Sequence, residues 1–282
     1  TLAHQSLWED KNWKKNKAFS VDEQQKEVVF RTGKHEIDEN IVIPENYTVK
    51  ISENTQLNFT KKAAFISKSN LLLFGTAENP IKISSSDGTA NGFTVLQTAK
   101  KSILHHVIFE NFNSLKYENW LLTGAVNFYE ADVDMQHCVF TKNNCEDGLH
   151  LVRSNFDITF CTISHTFSDG FDADFCKGTI ADSYFLTIGK NGMDFSSSEI
   201  TIKNCNVKQA NRIGINVSEE AKVIVTNADI DDANIGVTSK NLSVLTIKNI
   251  SLKNCKQGFA AFQKKPESVS YTHLTLPTRR FV

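Results

Sequence analysis

Six acidic residues and one histidine recur at a spacing that can do chemistry. Glu146 and Asp147 are followed by Asp169, Asp172 and Asp174, and then by Asp194; His150 lies 22 residues before Asp172, and Asp194 lies 22 after it. If these segments are neighbouring parallel strands, equivalent residues stand about 4.8 Å apart and the carboxylates stack on one another. Like charges so placed destabilise a sheet unless one is protonated or a cation lies between them. Asp172 and Asp174 alternate on one strand, roughly 6.5–7 Å apart along the backbone. An acid and base that must seat a water between them work at about 6.5–9.5 Å. Asp172, Asp174, Asp194 and His150 are therefore candidate catalytic residues, with Asp172/Asp174 or Asp174/Asp194 as the acid/base pair. The same three aspartates are candidate ligands for Ca²⁺, which prefers carboxylate oxygen. Arg153 and Arg212 lie on flanking coils, where they can tune the acids or bind an acidic sugar. A plainer reading stands beside these: Asp169-Gly170 is an ordinary turn pair, the other acids are solvated edge residues, and His150 is an inert surface histidine.

The elements that must position these residues follow from a repeat. Gly148, Gly170, Gly192, Gly214, Gly236 and Gly258 form a series of period 22, which Gly124 and Gly92 extend with insertions. A fixed period of this size marks a solenoid. Each period holds three short alternating runs separated by turns, as in Glu199-Ile200-Thr201-Ile202, Cys205-Asn206-Val207 and Ile213-Gly214-Ile215-Asn216-Val217. Alternation of period two predicts half-buried strands, and no helical period survives across a coil. Leu149, Phe171, Met193, Ile215, Val237 and Phe259 are predicted to stack inside, one per coil. His150, Asp172, Asp194, Asn216, Thr238 and Ala260 then form an outward column. Asn204, Asn227 and Asn249 share one turn, which predicts an internal ladder of side-chain amides. The insertion from Asn111 to Thr123 carries Tyr117 and Trp120, candidate substrate-binding aromatics that wall a groove or simply hold the loop down. Cys138 and Cys161 fall in one inward column, where stacked thiols are expected in preference to a disulfide.

Composition narrows the function. Hydrophobic residues make up 40% and charged residues 22% of the 282-residue chain, which suits a folded protein. Lys+Arg number 31 against 32 Asp+Glu, so no electrostatic pull toward nucleic acid is expected. No apolar run reaches the roughly 18–20 residues of a membrane span. Thr1 opens the chain without a basic and an apolar region behind it, so a secretion signal is either absent or lies upstream.

The repeat and its grammar resemble the right-handed parallel β-helix of pectin-degrading enzymes, the pectin-lyase-like superfold. Val42-Ile43-Pro44-Glu45-Asn46-Tyr47-Thr48-Val49 and the runs at 54–59, 71–75 and 80–83 resemble the opening coils of bacterial surface β-helices. Residues 168–240 resemble a β-helix domain found beside spore-coat-kinase-like modules. The resemblance implies an all-β solenoid of three strands and about 22 residues per coil. It also implies that, as in polygalacturonase-like hydrolases, an Asp cluster, a His and an Arg share one face, although the motif strings of those enzymes are missing. Polysaccharide lyases similar in fold hold Ca²⁺ on aspartates. The expected function is action on a polymeric, acidic polysaccharide or cell-surface glycan, by acid/base hydrolysis or by lyase chemistry, outside the cell or on its surface. The alternative is a non-catalytic extracellular module, an adhesin, spacer or glycan binder, attached to a further domain. Three segments are expected: 1–27 as linker or cap, 28–267 as the β-helix, and 268–282, which resembles a translated sequencing adapter, as a non-native tail.

Overall fold

The structure, a computed structural model, describes residues 13–117 and 120–263. Trp8 and the expected tail at 268–282 lie outside them. Nearly all the strands join one continuous sheet wound into coils. Three strands make a coil, as in Asn155–Thr159, Thr162–Thr166 and Asp169–Asp174. Each lies parallel and in register with its counterpart one turn on: Asn155 opposite Lys177, Thr162 opposite Tyr184, Phe171 opposite Met193. The chain is thus a right-handed parallel β-helix, the hand that twisted parallel strands impose on their crossovers. At its start, Phe19–Asp22 pairs antiparallel with Glu27–Phe30, and Trp13 packs its ring against Phe19 and Tyr47.

The corners explain the turn residues. Many are made by a single residue in the left-handed region, and these residues stack in columns: His106, His137, Phe160, Asp182, Asn204, Asn227 and Asn249 form one, all with φ between 50° and 55°. Asn227 donates its side-chain amide to the Asn204 Oδ1 at 3.1 Å, and Asn249 donates to Asn227 at 3.1 Å. The expected asparagine ladder therefore exists, but on the exposed outer corner rather than inside. The left-handed residue turns its side chain out, and the small residue after it turns in. Those inward residues link coils: Cys161 N–H donates to Ser183 Oγ at 3.1 Å, Cys176 N–H to Ser198 Oγ at 2.9 Å, and Cys138 N–H to Cys161 Sγ at 3.4 Å. Cys161 occupies the place that Ser183 takes one coil later, and both sulfurs of the Cys138/Cys161 pair are free thiols.

The predicted interior column holds in register. Leu149, Phe171, Met193 and Ile215 are fully buried, Val237 is buried, and Phe259 in the last described coil is half-buried. The glycine series has a steric cause. A Cβ at Gly170, Gly192 or Gly214 would stand 2.6 Å from the carbonyl oxygen of the glycine one coil on, with interior side chains just beyond. The insertion forms a hairpin, Leu115–Tyr117 against Trp120–Leu122, whose Leu115 packs on Ala64, Ile66 and Leu96. That small apolar cluster covers the outer face of the earlier coils beside the acidic strands.

Candidate functional site

Three successive strands carry the acids: Asp147–Val152, Asp169–Asp174 and Asn191–Ser196. The register aligns Asn127, His150, Asp172, Asp194, Asn216 and Thr238 in one column. Asn127, Asn216 and Thr238 are buried, whereas His150, Asp172 and Asp194 reach solvent. A second row, Asp147, Asp169 and Asn191, precedes the glycines and is buried at 1–3% exposure. The two rows face each other. Asn191 donates its side-chain amide to Asp169 Oδ2 at 3.3 Å and to Asp194 Oδ2 at 3.0 Å. Because the glycine between them turns its bare face to the interior, residues i and i+3 share the outer side.

His150 is the hub of the lower half. Its Nδ1 is 3.0 Å from Thr123 Oγ1, at the end of the insertion, and 3.9 Å from Asp147 Oδ2. Its Nε2 is buried without a hydrogen-bond partner among the described residues, and Asp174 Oδ2 lies 3.5 Å away. The upper half is satisfied by amides. Asn216 donates to Asp194 Oδ1 at 2.5 Å and accepts from Thr238 Oγ1, so both Asp194 oxygens are taken. Asp169 accepts the Asn191 backbone N–H at 2.8 Å and pairs with Lys190 at 3.1 Å.

This crowding changes the acids. Burial raises Asp147 to about 6, against the opposing pull of His150 and a hydrogen bond from Thr123. Burial, reinforced by the charges of Asp147, Asp174 and Asp194, pushes Asp172 well above the usual carboxylate range. Asp194 is raised by burial even though Asn216 bonds to its charged form. Burial pulls Lys190 down, but Asp169 and its neighbours outweigh that and hold the ammonium charged.

Of the residues singled out in the sequence, His150, Asp172, Asp174 and Asp194 come together. Arg153 and Arg212 do not touch the acids. Arg153 occupies an outer corner, donates to the Tyr129 hydroxyl at 2.7 Å and lies 5.2 Å from the Phe175 ring centroid. Arg212 is exposed, and its backbone N–H bonds the Lys190 carbonyl. Lys190, one coil earlier in the same column, reaches the cluster by pairing with Asp169, and Lys240 acts on Asp194. Tyr117 and Trp120 pair across the hairpin, and their side chains lie outside the description. In the sequence, Asp147, Asp169 and Asn191 stand just before the glycines with no site role attached, and Thr123 and Lys190 carry no signal of one. The signal for the second row was the acid or amide three residues before each member of the first.

Among the described residues, the group that converges for a cation is Asp147, His150 and Asp172, each offering an atom within 4.8 Å of the others. It shares only Asp172 with the expected trio of Asp172, Asp174 and Asp194, because the oxygens of Asp194 already accept two amides. The buried, unpartnered Nε2 of His150 and the enclosed carboxylate of Asp147 suit such a donor set.

A family model described as "Right handed beta helix region" matches residues 147–275, the stretch that carries these acids and that runs into the adapter-like segment. No curated protein matches the chain. Among solved structures, it is similar to a double mutant of the periplasmic alginate epimerase AlgG, with 11% identity, a TM-score of 0.47, and coverage of 87% of this chain and 79% of that one. It is also similar to the catalytic domain of a GH87 alpha-1,3-glucanase in complex with tetrasaccharides, with 10% identity, a TM-score of 0.40 and coverage of 85% and 64%. A third is the Dettilon tailspike protein, with 8% identity, a TM-score of 0.40 and coverage of 85% and 62%.

Proposed function

We infer that this protein acts on a polymeric, acidic polysaccharide at the cell surface or outside the cell, using the Asp172–Asp174–His150 cluster for acid/base chemistry. The observation that carries the reading is a pair of unequal carboxyls on one strand. Burial and the neighbouring carboxylates shift Asp172 upward, toward its protonated form, while Asp174, whose side chain is 33% exposed, faces solvent beside the unpartnered His150 Nε2. The enclosed carboxyl is assigned as proton donor and the exposed one as proton acceptor. In hydrolysis, Asp172 gives its proton to the glycosidic oxygen as that bond breaks, and Asp174 takes one from the attacking water. Thr123 orients the imidazole, and Asp194, pinned by two amides, holds its carboxyl in a fixed position beside the reacting ring. Lyase chemistry uses the same groups, with the base removing a proton next to the uronate carboxyl and the acid protonating the leaving oxygen.

The test is a panel of uronate polymers and neutral glycans, read by reducing ends and by the ultraviolet absorbance of an unsaturated product. The reading requires turnover on at least one polymer and its loss in Asp172→Asn. Inactivity on every glycan would end it. A cation-assisted lyase is favoured by the convergence of Asp147, His150 and Asp172, and activity that disappears with a chelator and returns with Ca²⁺ or Mn²⁺ would select it. A non-catalytic surface module is favoured by the satisfied Asp169–Asn191–Asp194–Asn216–Thr238 ladder, and glycan binding without turnover would select that.

A further inference from the structure

The floor of this site is the wrong place to hold an anionic sugar. Asp147, Asp169, Asp172, Asp174 and Asp194 line it, and of the cations near it Lys190 is paired with Asp169 while Lys240 acts on Asp194. A carboxylated ring over that floor must carry its charge to the rim. Arg153 and Phe175 stand there, on the corner that follows the acidic strands. Arg153 follows Val152 and Phe175 follows Asp174, and the Arg153 N–H bonds the Asp174 carbonyl at 2.9 Å, so they occupy successive rungs. Both are in the left-handed region, at φ 48° and 55°, which turns the side chains outward.

Two features coincide at this corner. Phe175 leaves 58% of its surface in solvent, in a column whose other members include Gln97, Glu130 and Ser197. A bulky ring is an uncommon occupant of that backbone region, where asparagine and aspartate are the common non-glycine choices, and Phe160 takes it at another corner of this helix, 52% exposed. Arg153, despite five aspartates on the adjoining strands, pairs with none of them. Its guanidinium is held between two rings, 5.2 Å from the Phe175 centroid and 5.9 Å from that of Tyr129, and one nitrogen donates to the Tyr129 hydroxyl. Its remaining side-chain N–H groups have no acceptor among the described residues. A guanidinium fixed in this way presents a planar fork that suits a carboxylate.

We propose that Arg153, braced by Tyr129, and Phe175 form a rim subsite for a uronic-acid ring, with the arginine taking the sugar carboxylate and the phenylalanine stacking on the ring face. The inference rests on the reading of the acidic floor as a polysaccharide site, and it assigns the selection of acidic over neutral polymer to this corner.

Binding of oligogalacturonate, oligoalginate and neutral cello-oligosaccharides of equal length is to be measured by calorimetry on the wild type, Arg153→Ala, Arg153→Lys and Phe175→Ala, with melting curves confirming that each variant folds. The expected result is that Arg153→Ala weakens at least one oligouronate by about tenfold or more and leaves neutral sugars unchanged. Arg153→Lys should recover only part of that loss, because a lysine keeps the charge and loses the fork. Phe175→Ala should weaken the same oligouronate at any salt concentration, whereas the arginine contribution fades as salt rises. Unchanged affinity in Arg153→Ala or in Phe175→Ala, or no oligouronate binding by the wild type, overturns the subsite. Asp172→Asn, measured alongside, separates the two ideas. Loss of turnover there with unaltered binding in both rim variants sinks the rim alone. Rim-dependent binding by a wild type that turns nothing over sinks the chemistry alone.

Discussion

At the scale of single residues, the most informative groups are carboxyls held in the wrong medium. Asp147 titrates near 6 when folded, against an ordinary value of 3.8, so between those values the native state keeps a proton that the unfolded chain has lost. The stabilisation is present below about pH 4 and is lost as pH rises toward 6. A series of melting curves should show the midpoint falling across that window. In Asp147→Asn the fall should be shallower and the midpoint at pH 7 no lower than in the wild type. A steeper fall in the variant would contradict the account. Asp172→Asn should reduce turnover by roughly 10²–10⁴-fold, the usual share of a general acid, in a steady-state assay on whichever polymer is a substrate. Of this arithmetic the sequence disclosed the column His150, Asp172, Asp194, because a period of 22 and an alternation of two determine it. It did not disclose Lys190, whose place one coil before Arg212 follows the period but whose reach to Asp169 does not, or Thr123, which arrives from an insertion that no period describes.

At the scale of the element, a coil is held by repeated small-residue positions. The glycine column is one. In Gly192→Ala the new Cβ would meet the Gly214 carbonyl at 2.6 Å and Val207 Cγ1 at 2.8 Å, so the strand must shift against its neighbour. Overpacking of this kind costs about 1–3 kcal/mol, to be read as a lower denaturant midpoint with an unchanged slope. The inward serine and thiol column is another. Ser198 Oγ accepts the Cys176 N–H and bonds the Ala173 carbonyl, so Ser198→Ala leaves a buried donor unpaired and should cost about 1–3 kcal/mol by the same measurement. Cys161→Ser should cost less, since Ser183 makes the equivalent bond one coil on.

At the scale of the whole molecule, each coil touches only its neighbours, so stability is shared along an axis rather than around a centre. The middle coils are sealed on both sides, with Leu149, Phe171, Met193 and Ile215 fully buried, whereas Leu252 and Phe259 in the last described coil are half-buried. Hydrogen exchange should therefore be slowest in the strands at 147–152, 169–174 and 191–196 and faster over 244–262. Uniform protection along the chain would show instead that the solenoid opens as one unit. The candidate site thus stands on coils whose interior is fully sealed, which suits a constellation that must hold its carboxyls in place.

The sequence alone determined the architecture, the coil length, the interior column and the outward alignment of His150, Asp172 and Asp194. A repeat reports itself because each coil solves the same packing problem with the same residue types at the same offsets. Only the tertiary structure decided which outward positions are covered. Asp147 and Asp169 are buried in strands although their Asp-Gly pairs read as turns, Asn204 is exposed on a corner and not internal, and Arg153 turns to Tyr129 and Phe175 instead of to the nearby acids. The reason is that alternation gives a side chain's direction from its own strand. Its neighbours, its burial and its charge state are set by coils 22 residues away and by an insertion that obeys no period.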